Sequence, residues 1–185
     1  MYLVYSLLLT LGLIVLIPRF LFQALAHGKY LPGVRQRLGS LPPLSESTNP
    51  TVWLHCVSVG ETQAARPFVR ELRKQFPNYR LVVSTVTLTG QNVARTVFKD
   101  DATEVIYFPF DWNWSVRRSL RVIKPDVVLM METELWPNFL HNCRKPRAIR
   151  VVCQATVVSG LSPTVIKVFR PIAKPQISRP IDVRI

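Results

Sequence analysis

Glu132 and Glu134 stand two residues apart in METELWPN (131–138), directly behind the apolar run VVLM. In an extended segment, residues two apart point to the same side. Like charges held on one side suit acid–base work or the binding of ligand hydroxyls. In the alternative reading, Glu134 opens a helix and complements its dipole. A third acid, Glu61, closes SVGE (58–61) at the start of a predicted helix, where the helix N-terminus favours a carboxylate. Glu61 is therefore a candidate proton acceptor. The competing structural reading makes Ser58 the N-cap and Glu61 the other half of a capping box. Gly60 between them permits a tight turn or a close backbone approach.

These residues need elements to hold them. TVWLHCV (51–57), RLVVSTV (80–86), EVIYFPF (104–110), DVVLMME (126–132) and AIRVVCQ (148–154) read as strands. Between them, 61–76, 90–98, 114–123 and 134–144 read as helices, the first with Ala65, Phe68, Val69, Leu72 and Phe76 at helical spacing. Near-continuous apolar strands alternating with helices predict an α/β fold with a parallel sheet covered on both faces. In such sheets ligands bind beyond the carboxyl ends of the strands. Four polar motifs fall at four successive strand ends. The second is STVTLTG (84–90), whose Thr87, Thr89 and Gly90 suit sugar hydroxyls or phosphate, although Thr is also common in strands. The third, PFDWNW (109–114), carries Asp111, which caps the next helix in its structural reading. The fourth holds Glu132, Glu134 and Trp136.

A net charge of +13 over 185 residues suggests an anionic partner: nucleic acid, an acidic membrane surface or a phosphorylated substrate. No basic stripe interleaved with stacking aromatics supports nucleic acid. Arg66, Arg70, Arg117, Arg118 and Arg121 read as solvated helix faces, or as contacts to acidic lipid worth about 1 kcal/mol each. The opening MYLVYSLLLTLGLIVLIP has no charged side chain, and the basic residues Arg19, Lys29, Arg35 and Arg37 follow it. That order predicts an uncleaved membrane anchor or monotopic segment with the remainder in the cytoplasm. A signal peptide cleaved after Ala24-Leu25-Ala26 and a buried core helix are the alternatives. GSLPPLSESTNP (39–50) reads as a linker.

Several chemistries are disfavoured. The seven glycines form neither GxGxxG nor a P-loop. His27, His55 and His141 lack metal-ligand spacing, and His55 within an apolar strand reads as a core residue. Cys56, Cys143 and Cys153 are odd in number and widely spaced, against a disulfide framework or a zinc site.

The apolar segment followed by GKYLPGVRQRLG, HCVSVGETQAARP, STVTLTG, YFPFDW and KPDVVLMMETELWPN resembles the N-terminal half of the bacterial lipid A Kdo (3-deoxy-D-manno-octulosonic acid) transferases. The resemblance covers roughly residues 1–153. It implies the acceptor-binding, Rossmann-like half of a two-domain GT-B glycosyltransferase of lipopolysaccharide synthesis. The implied reaction transfers Kdo, with inversion, from CMP-Kdo to a lipid A precursor at the cytoplasmic face of the inner membrane. It implies no cofactor and no essential metal. By motif, Glu61 becomes the general base and Glu132 and Glu134 become supporting active-site acids. Ser58, Gly60, Thr87, Thr89, Gly90, Asp111 and Trp136 become candidates for contact with substrate. Family members are longer and continue past the fifth strand with an N-x-R-[IL]-S motif, which this chain lacks. The expected organisation is a membrane segment (1–38), a linker (39–50), the Rossmann-like domain (51–153) and a divergent tail (154–185) in place of a donor domain.

Overall fold

The computed structural model describes residues 2–27, 33–132, 136–144 and 149–153. Glu134 and the tail 154–185 lie outside the described residues. Strands β1 (Thr51–His55), β2 (Arg80–Thr85), β3 (Glu104–Tyr107), β4 (Val127–Met130) and β5 (Arg150–Cys153) form one sheet in the order β3-β2-β1-β4-β5. Every neighbouring pair is parallel, with Leu54 opposite Val83 on one side and Leu129 on the other. The central strands β1 and β4 are short and buried on both faces, which is why their sequences run apolar without alternation.

The side chains still alternate between two cores. Val52, Leu54, Val83 and Leu129 meet Ala65, Phe68, Val69 and Leu72 of α3 (Val59–Gln75) and Ala94 of α4 (Leu88–Val97). Trp53, Val82 and Val128 meet Val116 and Ile123 of α5 (Asn113–Ile123), and Phe139 and Cys143 of α6 (Pro137–Cys143). Trp53 is wholly enclosed, and burying side chains of this class stabilises the fold by about 1.5–3 kcal/mol each. Two helices on each face make the sheet doubly wound, as expected. The strand order reverses between β1 and β4, so the crevice at their carboxyl ends is the topological switch point.

At the opposite, amino edge, charged groups serve the fold. Asp126 accepts the Thr51 N–H at 2.8 Å, and Arg80 donates to Thr51 Oγ1 and to the Ser45 carbonyl. Residues 39–50 contain no helix or strand and run against the domain, with Leu41 and Leu44 packed on the second core.

The N-terminal segment forms α1 (Tyr2–His27) and, after Gly33, the four-residue α2 (Val34–Arg37). Tyr2 stacks on His141 at 4.1 Å between ring centres, Ser6 Oγ accepts from Asn138 Nδ2 at 3.0 Å, and Thr10 Oγ1 accepts from Trp112 Nε1 at 3.1 Å. Spaced four apart, these residues form a polar stripe that docks α1 on the domain. Leu7, Leu8, Leu11, Ile14 and Val15 remain exposed. The expected membrane-crossing anchor needs correction: among the described residues, no helix is long and apolar enough to cross a membrane. Pro18 and Arg19 interrupt the apolar run, and the docked polar stripe gives the first turns a protein-facing side.

Candidate functional site

The hydrogen-bonding of β1 runs one residue past its end, where the Cys56 N–H donates to the Ser84 carbonyl at 2.9 Å. The chain then turns into α3 through Ser58, an extended N-cap. Glu61 reaches back over this turn. Its Oε2 accepts the Val57 N–H at 2.9 Å, and its Oε1 accepts the Ser58 N–H at 3.1 Å and the Ser58 hydroxyl at 2.9 Å. Ser58 Oγ accepts the Glu61 N–H at 3.3 Å, completing a capping box. A carboxylate has about four lone-pair directions, so these three donors fix its orientation and leave about one direction for another proton donor. The capping and proton-acceptor readings are therefore compatible.

Gly60 adds an independent signal. A Cβ there would meet nothing closer than Ser58 Oγ at 3.8 Å, and its backbone is not left-handed. Among the described residues, neither packing nor conformation requires glycine there. Its effect is open space beside Glu61, on an exposed turn.

Next along the edge, Thr87 is the N-cap of α4 and accepts the Gly90 N–H at 3.0 Å. Gly90 is packed so closely that a Cβ would lie 2.9 Å from Thr87 Oγ1 and 3.7 Å from the Val57 carbonyl oxygen. That approach brings the starts of α3 and α4 together. Thr89 is exposed, whereas Thr85 is buried and donates to Gln91 Oε1 at 2.7 Å.

At the switch point, the Met131 N–H bonds the His55 carbonyl at 3.1 Å, so β4 delivers Glu132 beside the strand that leads to Glu61. Glu132 is exposed. Trp136 is the N-cap of α6, half-buried, with its ring 5.5 Å from Phe108. Phe108 in turn stacks on His55 at 4.0 Å, giving the crevice an aromatic floor.

Asp111 lies apart from this open surface. It is 2% exposed and accepts the Asn138 N–H at 3.0 Å and the Phe139 N–H at 2.7 Å. Burial pushes its carboxyl above the usual range, opposed by these bonds and by the Tyr5 hydroxyl. It supplies α6 with the cap that Trp136 cannot, so it shapes the crevice from beneath. Ser58, Gly60, Glu61, Thr87, Thr89, Gly90, Glu132 and Trp136 thus share the carboxyl edge, with Asp111 buried below it. Among the described residues, no cluster of His, Cys, Asp or Glu could hold a metal ion. Cys56 and Cys143 are free and buried, and burial pushes the Cys143 thiol up to about 12.

Sequence reasoning left out the contribution of α2. Arg37 lies over the Tyr107 ring at 4.7 Å and donates to the Val86 carbonyl, while Gln36 accepts the Tyr107 N–H at 2.9 Å. A glycine, Gly33, directly before the Arg-rich VRQR was the available signal.

Comparison with known proteins gives the family. The sequence profile described as 3-deoxy-D-manno-octulosonic-acid transferase (kdotransferase) matches residues 32–180. The 3-deoxy-D-manno-octulosonic acid transferase of Chlamydia trachomatis is 30% identical over 128 residues, covering 69% of this chain and 30% of the relative. The Haemophilus influenzae protein of the same name is 37% identical over 90 residues, covering 49% of this chain and 21% of the relative. A bifunctional glycosyltransferase/methyltransferase of Fusobacterium nucleatum is 28% identical over 107 residues, covering 57% and 17%. The chain spans about a third of the length, or less, of the curated relatives it matches. With its profile match running through most of the chain, the protein belongs to the 3-deoxy-D-manno-octulosonic-acid transferase family.

Proposed function

We propose that this chain is the acceptor-binding part of a Kdo transferase, with Glu61 the base that removes the proton from the attacking acceptor hydroxyl. The observation that carries the reading is the held but accessible carboxylate of Glu61, oriented by three donors beside the open space at Gly60. Transfer to an alcohol needs a base at the acceptor, while a nucleotide-activated sugar already carries its leaving group. In this reading the acceptor is a lipid A precursor and the donor is CMP-Kdo. Most of the donor site belongs to the second domain of the GT-B arrangement. Attack on the face opposite the leaving nucleotide gives inversion, with no cofactor or metal. Glu132, and by motif Glu134, bind sugar hydroxyls across the switch point.

The apolar outer face of α1 supports monotopic association with the cytoplasmic face of the inner membrane, and the +13 charge suits anionic lipid there. The test measures binding of a lipid A precursor by the chain. Kdo transfer from CMP-Kdo is then measured with the chain alone and with the C-terminal half of a related enzyme added. Precursor binding retained in Glu61→Ala, with transfer abolished, supports the reading. Equal transfer by wild type and Glu61→Ala refutes the base, and failure of the wild type to bind the precursor refutes the acceptor assignment.

A further inference from the structure

A pocket of about 440 Å³ opens between α2, the length of α4 from Leu88 to Arg95 and the end of β3, and its lining includes Gln36, Gln91, Tyr107, Asn92, Arg35 and Arg95. That size is ordinary for small-molecule sites, which occupy roughly 300–1,000 Å³. The floor is fixed by internal bonds. Gln36 Oε1 takes the Tyr107 N–H, while Gln91 is held between the Thr85 hydroxyl and the Val105 carbonyl. Gly33 also lines the pocket; any Cβ there would collide with the Tyr107 ring, so the wall tolerates only glycine.

The rim is different. Arg35 and Arg95 are exposed, no acid lines the pocket, and neither guanidinium has a carboxylate or hydrogen-bond partner among the described residues. Arg37, two positions from Arg35, shows what a structural arginine looks like in this region: half-buried, over an aromatic ring and bonded to a carbonyl. Two unpartnered guanidiniums and the Asn92 amide therefore face one concavity.

We propose that this pocket binds a phosphate monoester, held by Arg35 and Arg95. A phosphate monoester carries close to two negative charges near neutrality and offers three oxygens, matching two guanidinium forks better than a single carboxylate does. A Cβ on Gly90 would lie 3.7 Å from the Val57 carbonyl oxygen, so the start of α4, where Leu88 lines the pocket, sits against the turn that carries Glu61. A phosphorylated sugar bound here would thus lie along the same carboxyl edge. The pocket stands on its own geometry. Only the identity of the phosphate's carrier, a lipid acceptor, rests on the function proposed above.

The test titrates the full chain with inorganic phosphate, glucosamine phosphate and glucuronate, and repeats the series with Arg35→Gln, Arg95→Gln, the double variant and Glu61→Ala. Both arginines are exposed, so thermal melts should match wild type. Glucosamine phosphate should bind more tightly than glucuronate, and each arginine substitution should weaken it about tenfold, as expected for a charge-assisted bond. Glu61→Ala should bind it like wild type even where transfer is lost, which separates failure of the pocket from failure of the base. Competition by phosphatidylcholine vesicles containing a phosphorylated glucosamine lipid, against phosphatidylcholine alone, distinguishes a lipid-borne phosphate from a soluble one. Absence of phosphate binding, equal affinity for glucuronate, or unchanged affinity in the double variant would each overturn the proposal.

Discussion

Glu61 and Asp111 are both acids at helix N-termini on the carboxyl side of one sheet, yet their surroundings assign them to different work. Glu61 takes all its partners from residues 57 and 58, three and four positions away, on an exposed turn. Asp111 takes its partners from residues 138 and 139 and from the Tyr5 hydroxyl of α1, all distant in sequence, and is buried. The local box holds a carboxylate where a ligand can reach it. The long-range cap spends its carboxylate on joining two distant parts of the chain. Hydrogen-bonding alone does not separate these two acids; exposure and the sequence distance of their partners do.

The sharpest way to break this comparison is Glu61→Gln. The amide oxygen can still accept backbone N–H bonds of the capping box, but the side chain cannot take a proton. Transfer should fall by about 10²–10⁴-fold, the range for loss of general-base catalysis. Stability should change by no more than about 1 kcal/mol, as for other N-terminal cap changes. Transfer assays paired with denaturant titration read both quantities. A large stability loss with transfer intact would move Glu61 into the class of Asp111.

Asp111→Ala should do the reverse. It strands two N–H groups of α6, each costing about 1–3 kcal/mol when buried and unpaired. A loss of about 3 kcal/mol corresponds to a fall in melting temperature of about 10 °C for a chain of this size. Calorimetry or circular dichroism would measure it. Precursor binding, followed at a temperature where the variant remains folded, should be far less affected than in a variant that blocks the open edge.

The same pair of acids shows what the sequence could reveal. The capping box was legible because S-x-x-E is complete within four residues. The strands were legible because burial on both faces leaves a continuous apolar run, as in VVLM. Asp111 was expected to cap the helix that follows it. In the structure that helix, α5, has Trp112 as its N-cap with no side-chain cap, and Asp111 serves α6 instead. No local pattern announces partners 27 and 28 residues away. The pocket beside α2 was hidden for the same reason, since Arg35 and Arg95 lie 60 positions apart and meet only through the fold. The polar stripe of α1 is spaced regularly, but within so apolar a segment Ser6 and Thr10 resemble tolerated exceptions until Asn138 and Trp112 are seen against them.

Tyr5→Phe tests how far Asp111 depends on α1. Burial holds the Asp111 carboxyl above its usual range, and the Tyr5 hydroxyl is one of the contacts that lowers it. A carboxyl raised in the folded state binds more protons folded than unfolded, so its contribution to stability falls as pH rises through the acid range. Removing the Tyr5 contact raises that carboxyl further. The variant should therefore be nearly as stable as wild type in acid and weaker by about 1 kcal/mol at neutral pH, the cost of one hydrogen bond. Melting curves across pH would show the gap widening upward; a gap independent of pH would separate α1 from the electrostatics of Asp111.

Gly60→Ala carries the smallest expected effect on the fold. Gly60 lies in α3 without positive φ, and among the described residues an added methyl meets Ser58 Oγ at van der Waals distance and nothing nearer. Alanine lowers the entropic cost of ordering a helical glycine, so stability should rise by about 0.5–1 kcal/mol. The methyl would nevertheless occupy the space beside Glu61 that the proposed acceptor uses. Weaker precursor binding in a protein that melts slightly higher is the expected result. Retention of both binding and transfer would show that the acceptor approaches Glu61 from another side, leaving the donors at Val57 and Ser58 as the only features that fix its direction.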